Sequence, residues 1–195
     1  MNNKSYKQFA KDIINKEISA LKRTVKLLDG DFQKACDVIS TNKSKVITLG
    51  LGKSSFIAMK MAATLSSTGT PALFLHPADA LHGDVGVIKK NDTVIIYSNS
   101  GETEEIIKLL PILKILKCSL ISITGNMTST LARYSKIVLN ASVIREACPN
   151  NLAPTSSIIS ALALSDALAL AVSSQNNFTM KDFANTNLKN IDEAA

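Results

Sequence analysis

The sequence contains no tryptophan, and aromatic residues make up only 5% of its 195 positions. Such a chain is poorly supplied with the aromatic platforms on which nucleic-acid bases stack. Its formal net charge is +6, but the lysines are spread along the chain instead of forming one cluster. We therefore expect no nucleic-acid partner, and we interpret the charge as a mildly basic surface that is also compatible with an anionic substrate.

The chain also lacks closely paired cysteines and an apolar leader. Its three cysteines, Cys36, Cys118 and Cys148, are far apart in the sequence, and an odd number of separate cysteines is typical of reduced thiols in the cytoplasm. The amino terminus is charged and amphipathic, and we expect no uninterrupted apolar run to reach the length that spans a membrane. These absences predict a soluble cytoplasmic protein without a membrane partner.

Short apolar runs alternate with segments of helical period along most of the chain, which is the pattern of an α/β domain. We predict strands over 45–49, 72–75, 93–97, 119–123 and 137–139. We predict helices over 6–28, 32–39, 54–67, 103–116, 129–134 and 153–173. Because the strands are mostly unbroken apolar runs, the sheet should be parallel and covered on both faces. The predicted fold is a three-layer α/β sandwich with a five-stranded parallel sheet flanked by helices.

The length of the chain and the lack of an obvious linker predict a single domain over 1–195. It would consist of a helical segment over 4–42, a sheet core over 45–175 and a polar tail over 184–195. The predicted helix over 153–173 is too apolar to face water. We expect it to pack inside the domain or in a subunit interface.

Two segments rich in glycine and small hydroxyl residues each follow a predicted strand and precede a predicted helix. One runs from Gly50 to Ser55, and the other runs from Ser98 to Thr103. Such segments direct backbone N–H groups and hydroxyls at a negative ligand beside a helix N-terminus. In open parallel sheets, ligands bind beyond the carboxyl ends of the strands. The two segments together therefore indicate a phosphorylated small molecule.

Two common nucleotide motifs do not fit the first segment. A P-loop needs a glycine five positions before its Gly-Lys pair, and that position holds Ile47. A Rossmann fingerprint needs a third glycine where Ser55 stands, and an acidic residue where Thr70 and its neighbours offer none. Nucleotide binding is therefore disfavoured.

Ionisable residues occur near the same predicted strand ends, and they are Lys53, His76, His82, Glu102, Glu104, Glu105 and Glu146. A lysine within a glycine-rich loop is well placed to hold a phosphate or a polarised oxygen. Acids at the start of a helix can simply stabilise the helix dipole, so we expect only some of the three clustered glutamates to face a ligand. The neighbouring Arg145 makes an ordinary ion pair the simplest alternative for Glu146.

A carboxylate, a histidine and a phosphate-binding loop together suit proton transfer next to a carbonyl group. Aldose–ketose interconversion moves a proton between neighbouring carbons through an enediolate, and a side-chain base carries that proton. This chemistry requires no redox cofactor, and we expect none.

The residues that carry these features resemble the SIS (sugar isomerase) domain family, and within it the arabinose-5-phosphate isomerases. The similarity covers roughly residues 45 to 185, and its motifs occur in order. They are GLGKS (50–54), MAAT (61–64), STGTP (67–71), HP (76–77), HGD (82–84), SNSGE (98–102), ITG (123–125), EACP (146–149) and LAPTSS (152–157).

The resemblance implies interconversion of D-ribulose 5-phosphate and D-arabinose 5-phosphate, the latter a precursor of 3-deoxy-D-manno-octulosonate for lipopolysaccharide or capsules. It implies catalytic roles for Lys53, His82, Glu105 and Glu146. It implies substrate contacts by Gly52, Ser54, Gly69, Thr70, His76, Ser98, Asn99, Ser100, Thr103, Thr155 and Ser156. It also implies that His76 can bind an inhibitory zinc ion, and that the protein is a homotetramer with active sites shared between subunits.

Two departures from the family pattern qualify this expectation. The family's typical members continue into a pair of CBS domains, whereas this sequence stops at Ala195, so we expect a form without them. Asn187 stands where the family has a second catalytic histidine, and an amide cannot shuttle protons near neutral pH. An isomerase of another ketose phosphate, or a non-catalytic sugar-phosphate-binding protein, therefore remains an alternative.

Overall fold

The computed structural model describes residues 5–42 and 44–186, and within them five parallel strands form one sheet. The strands are β1 (Val46–Gly50), β2 (Ala72–Phe74), β3 (Thr93–Tyr97), β4 (Ser119–Thr124) and β5 (Ile137–Asn140). Their order across the sheet is β2-β1-β3-β4-β5. The predicted five-stranded parallel sheet is confirmed, and each strand end lies within one residue of its prediction.

The helices are α1 (Tyr6–Leu27), α2 (Gly30–Thr41), α3 (Lys53–Ser67), α4 (Pro77–Leu81), α5 (Glu104–Leu116), α6 (Thr130–Tyr134), α7 (Ser156–Gln175) and α8 (Met180–Thr186). The sequence analysis missed α4 because five residues are too few to show a helical period. Helix α8 extends three residues into the segment predicted as a polar tail. Asn187 and the rest of that tail lie outside the described residues.

The sheet has an apolar core on each of its faces. Side chains alternate along a strand, so Ile95 and Tyr97 of β3 face one side while Val94 and Ile96 face the other. The first pair packs with α2, α3 and α7, and the second pair packs with α4, α5 and α6. The predicted three layers are therefore confirmed.

Helix α7 is the long apolar helix of the chain, and it packs between α1, α2 and α3. By length and composition alone it is also able to cross a membrane, contrary to our expectation that no segment would reach that length. However, 56% of its most apolar window is buried inside the fold, as is usual for a core helix. The prediction that this helix packs inside the domain is confirmed.

The two glycine-rich segments begin side by side. Strands β1 and β3 are neighbours paired from Val46 with Thr93 to Gly50 with Tyr97, so their carboxyl ends lie at the same edge of the sheet. A Cβ atom on Gly50 would lie only 2.6 Å from the backbone oxygen of Ser54. Glycine at this position therefore lets α3 turn back directly over the end of β1.

At the other end of the strands, a buried carboxylate connects the segments that lead into β1 and β3. The Asp92 side chain is fully buried and accepts hydrogen bonds from Lys45 Nζ at 2.8 Å, from the Lys89 amide at 2.7 Å and from the Ser44 hydroxyl. Burial opposes ionisation of Asp92, but these donors outweigh it and hold the pKa of the carboxyl below its ordinary value. The ionised form therefore stabilises the fold.

Replacing Asp92 by asparagine should lower the free energy of unfolding at pH 7 by about 2–4 kcal/mol, because Lys45 loses its charge partner and a buried donor set is left incomplete. The folded-state pKa is depressed, so this stabilisation is complete above the unfolded pKa of about 4 and is lost as the pH falls through the folded value. Urea unfolding of both proteins between pH 7 and pH 2 measures the difference. A difference in unfolding free energy between the two proteins that stays constant with pH would contradict a stabilising role for the ionised Asp92. The surface substitution Asp79→Asn is the control.

Candidate active site

The segment after β3 forms a tight hydroxyl-lined loop over residues 98–103. The Ser98 hydroxyl lies 2.8 Å from the Thr103 hydroxyl and accepts the Gly101 amide at 3.0 Å. The Ser100 hydroxyl accepts the Glu102 amide at 3.2 Å. Gly101 has a φ of 68°, in the left-handed region that glycine adopts without strain. The loop turns back on itself there, and Ser100 remains exposed at its tip.

Backbone hydrogen bonds connect this loop to the segment that follows β4. The Gly125 amide donates to the Asn99 carbonyl at 3.0 Å, and the Leu131 amide donates to the Gly101 carbonyl at 3.1 Å. A Cβ atom on Gly125 would overlap the Asn99 side-chain oxygen, so glycine permits this close approach. The 98–103 loop therefore has a fixed position that does not depend on a ligand.

The three glutamates beside this loop have different surroundings in the structure. Glu102 accepts the Thr130 amide at 2.6 Å, and that hydrogen bond lowers the pKa of its carboxyl. Glu104 pairs with Lys108 at 2.6 Å on the exposed side of α5. Glu105 is half-buried, and within the described residues its carboxylate has no hydrogen bond or salt bridge. Only Glu105 therefore offers an uncommitted carboxylate beside an anion-binding loop.

The first glycine-rich segment presents a second helix N-terminus at the same edge. Gly52, with a φ of 57°, precedes α3, and Lys53 is the first residue of that helix. The Lys53 side chain is exposed and has no hydrogen bond or salt bridge to any described residue. Its ammonium group is therefore free to meet an anion or a polarised oxygen.

A small cleft lies between the two loops and the N-terminus of α7. Its polar lining comes from Ser54, Ser98, Asn99, Thr124 and Ser157. Among the predicted contacts, the cleft therefore brings together Ser54 of the first loop with Ser98 and Asn99 of the second.

Sequence reasoning missed several residues that line this cleft, and they include Ile57, Thr124, Gly125, Ser157, Ile158 and Ala161. A signal was present for three of them, because Thr124, Gly125 and Ser157 belong to motifs that carry the family resemblance. The apolar lining had no comparable signal, since it is indistinguishable from ordinary core.

Glu146 lies in the long loop between β5 and α7, where α7 binds it as an anion. Its carboxylate accepts the Thr155 amide at 2.7 Å, the Ser157 amide at 3.1 Å, and the hydroxyls of Thr155 and Ser157. Burial opposes ionisation, but these donors prevail and lower the pKa of Glu146. The alternative of an ion pair with Arg145 is wrong in the described chain, because the Arg145 guanidinium donates instead to the Pro149 carbonyl.

The Glu146 network also occupies the residues predicted to contact substrate at the start of α7. The Thr155 hydroxyl donates to Glu146 and accepts the Ala147 amide at 2.9 Å. Ser156 is 1% exposed, and its hydroxyl has no hydrogen-bond partner among the described residues. Substrate contact by Thr155 and Ser156 remains a prediction.

Both histidines follow β2, which is the neighbour of β1 in the sheet. They therefore lie at the carboxyl ends of the strands, as the two loops do. His76 is half-buried at the start of α4, with its ring centroid 6.3 Å from that of Phe74. His82 is exposed at the end of α4. Within the described residues, no group of three or more His, Cys, Asp or Glu side chains is arranged to hold a metal ion. Zinc binding by His76 remains a prediction.

Gly69 and Thr70 lie at the amino ends of the strands, opposite the end that carries the two loops. They lead into the amino end of β2, where the following Pro71 carbonyl accepts the Val46 amide at 2.8 Å. A Cβ atom on Gly69 would overlap the ring of Phe178. Within one chain these two residues therefore lie away from the 98–103 loop, and their contact with the substrate remains a prediction for a site shared between copies.

The fold and the site together define a class of protein: a parallel α/β domain that presents a hydroxyl-lined anion loop and two free ionisable side chains where adjacent strands end. The chain matches the SIS domain family over residues 39–171. It belongs to the SIS domain family, as the resemblance in its motifs predicted.

Known relatives agree with this placement. The chain is 53% identical over 171 residues to arabinose 5-phosphate isomerase KdsD of Francisella tularensis, covering 86% of this chain and 52% of the relative. It is 44% identical to the protein of that name from Escherichia coli K12, covering 92% and 55%. The chain thus spans about half the length of these relatives.

A solved structure of similar size provides a geometric comparison. The c3406 protein of E. coli CFT073, in complex with arabinose 5-phosphate, superposes with a TM-score of 0.90 at 40% identity, covering 94% of this chain and 98% of that one. The fold described above is therefore the fold of a protein that binds this ligand.

Proposed function

We propose that this protein is an aldose–ketose isomerase that interconverts D-ribulose 5-phosphate and D-arabinose 5-phosphate. The observation that carries the proposal is the preformed 98–103 loop beside two uncommitted ionisable side chains, Lys53 and Glu105. Relatives named arabinose 5-phosphate isomerase, and a similar structure in complex with arabinose 5-phosphate, support it.

The phosphate group would bind at the 98–103 loop and at the N-termini of α3 and α5, where backbone N–H groups and the helix dipole favour an anion. Ser98, Ser100 and Thr103 supply hydroxyls in the loop, and Ser54 adds one from α3. This arrangement fixes one end of the open-chain sugar and leaves the carbonyl end beside Lys53 and Glu105.

Proton transfer would then be carried by Glu105. In the ketose, the Glu105 carboxylate removes a proton from C1 to form an enediolate, and it returns a proton to C2 while the hydroxyl proton moves from O1 to O2. Lys53 stabilises the negative oxygen of the enediolate. The exposed His82 is available for opening the sugar ring. Because substrate and product are isomers, the balance of the reaction requires no redox cofactor.

Glu146 is less suited to be the proton acceptor. Its oxygens already accept hydrogen bonds from Thr155 and Ser157, and a lowered pKa makes a carboxylate a weaker base. The catalytic role of Glu146 that the resemblance implies would therefore be electrostatic or structural.

The proposal is tested by incubating the unmodified chain with D-ribulose 5-phosphate in deuterium oxide. We expect arabinose 5-phosphate to form and to carry deuterium at C2, because a proton on a side-chain base exchanges with solvent before it returns to the sugar. Other ketose phosphates serve as comparison substrates. If the chain turned over another ketose phosphate but not ribulose 5-phosphate, the proposed substrate would be wrong, whereas the proposed reaction class would stand.

One observation favours a second candidate, a sugar-phosphate-binding protein without catalysis. Asn187 stands at the position of a histidine in the catalytic set that the resemblance implies. Thermal stabilisation by arabinose 5-phosphate without turnover would support this candidate. Activity gained by Asn187→His would then identify the missing histidine as the cause.

We further propose a homotetramer with shared active sites. An apolar groove between α1 and α7, lined by Leu21, Val25, Leu28, Ala163 and Ala167, is open to solvent in the single chain. Val25 on α1 and Leu170 on α7 are 68% and 58% exposed, which is unusual for large apolar side chains outside an interface.

The proposed setting is the cytoplasm, without membrane or nucleic-acid partners. Arabinose 5-phosphate made there would supply the synthesis of 3-deoxy-D-manno-octulosonate for lipopolysaccharide or capsule. The sparse, unpaired cysteines, all three of them free thiols, support a reducing compartment.

A further inference from the structure

The loop that carries Glu146 is long and has little structure of its own. It extends over residues 141–155, from the end of β5 to the start of α7, and contains neither helix nor strand. Loops of this length are uncommon and usually functional, and without helix or strand hydrogen bonds of its own this loop is positioned by its contacts with the rest of the fold. The anchors of this loop therefore decide where the Glu146 carboxylate lies.

One set of anchors comes from α7, through the hydrogen bonds of Glu146 with Thr155 and Ser157. The adjacent residue is fixed as well, because Ala147 is fully buried and its amide donates to the Thr155 hydroxyl at 2.9 Å. Within the loop, the Glu146 amide donates to the Asn151 side chain at 2.6 Å. These contacts hold the loop on its α7 side.

The second set comes from α1, and it uses two cationic side chains. Lys16 Nζ donates to the Ala147 carbonyl at 3.3 Å, and Arg23 Nε donates to the Ser142 carbonyl at 3.2 Å. Lys16 and Arg23 are seven residues apart, which is two helical turns, so they project from the same face of α1. Hydrogen bonds from charged donors are stronger than neutral ones.

Both polar groups of the Ala147 backbone are therefore used, with the amide bound by α7 and the carbonyl bound by α1. The Ala147 residue directly follows Glu146, so a shift of this backbone moves the carboxylate. Helix α1 lies outside residues 39–171, the part of the chain that matches the SIS domain family.

We propose that Lys16 and Arg23 are positioning residues that brace the Glu146 loop from α1, and that turnover depends on them. This inference rests on the proposed isomerase function. The two side chains do not approach the 98–103 loop through any described hydrogen bond, so the brace acts on the Glu146 side of the site and not on phosphate binding.

The test compares the double variant Lys16→Met and Arg23→Met with a matched double variant, Lys11→Met and Lys22→Met. Lys11 and Lys22 lie on the same helix and have no hydrogen bond or salt bridge to a described residue. We expect the first variant to lose roughly tenfold or more in kcat with KM nearly unchanged, because a displaced catalytic geometry is costly even when binding is intact. The matched variant should retain its activity.

A conservative exchange separates positioning from a general loss of stability. The double variant Lys16→Arg and Arg23→Lys keeps both cationic donors, so it should recover most of the lost kcat. If the methionine variant loses activity only in proportion to its unfolded fraction at the assay temperature, the positioning role is overturned.

Hydrogen–deuterium exchange gives a readout that needs no turnover. In the methionine variant, backbone amides over 141–155 should exchange about tenfold faster or more, while those of β3 should not change. Unchanged exchange in the loop would overturn the brace, whatever the activity. If the unmodified chain is inactive on every ketose phosphate, the isomerase function fails, and exchange alone then decides whether the brace exists.

Discussion

Replacement of Glu105 by glutamine should lower kcat for ribulose 5-phosphate by a factor of about 100 or more, because an amide cannot take up the proton that leaves C1. Glutamine has nearly the same shape as glutamate, so phosphate binding at the neighbouring loop should persist. We therefore expect the loss in kcat with a KM that changes little. Steady-state kinetics with the ketose phosphate, together with thermal stabilisation by arabinose 5-phosphate, measures both quantities.

The adjacent glutamate provides a matched control. Glu104 lies one position earlier in the same helical turn, but its carboxylate pairs with Lys108 on the exposed side of α5. Exposed pairs of this kind contribute little to stability, so Glu104→Gln should leave both the fold and kcat nearly unchanged. Equal losses in both variants would indicate that the first turn of α5 matters for folding and not for proton transfer. An unaffected Glu105→Gln would reject Glu105 as the base.

The fold was largely predictable from the sequence because its strands are buried on both faces. A strand such as β3, Thr93–Tyr97, is an uninterrupted apolar run that contrasts with its polar flanks, and burial on both faces requires that pattern. Short elements such as α4 lack the length needed for a period. Helix α8 is also short, and the polar residues at its end could not be distinguished from those of a polar tail.

The position of the site was predictable for a related reason. Parallel strands end at a common edge, so loops after β1 and β3 had to be close once the strands were recognised as neighbours. Local spacing did not reveal the role of Glu102, because its partner is distant in sequence. Glu102 accepts the Thr130 amide, 28 residues away, and this contact removes Glu102 from consideration as the base.

The same limit applies to the Glu146 loop. The sequence suggested Arg145 as the partner of Glu146 because the two are adjacent, but in the structure the carboxylate is bound by Thr155 and Ser157. The contact of Lys16 with Ala147 spans 131 residues. No periodicity or local motif signals a contact over that separation, so the bracing of this loop emerges only from the tertiary structure.

Replacement of Gly101 by alanine should lower the affinity for arabinose 5-phosphate by a factor of about 50 or more, because two penalties combine at this position. The φ of 68° is unfavourable for a residue with a Cβ atom, by about 1–2 kcal/mol. The new Cβ would also overlap Ser129 Oγ. Ser129 is 1% exposed and accepts the Ala132 amide at the start of α6, so it cannot move aside without loss of that cap.

The expected consequence is a displaced 98–103 loop in a chain that is still folded, because the sheet and both core layers do not include Gly101. Calorimetric titration with arabinose 5-phosphate measures the affinity, and circular dichroism monitors the fold. Gly30→Ala is the matched control, since no atom lies within 4 Å of a Cβ built there and its backbone is not in the left-handed region. Gly30 begins α2, where alanine is favourable, and binding should be unchanged. If Gly101→Ala bound the sugar phosphate as tightly as the Gly30→Ala control, the 98–103 loop would not be the phosphate site.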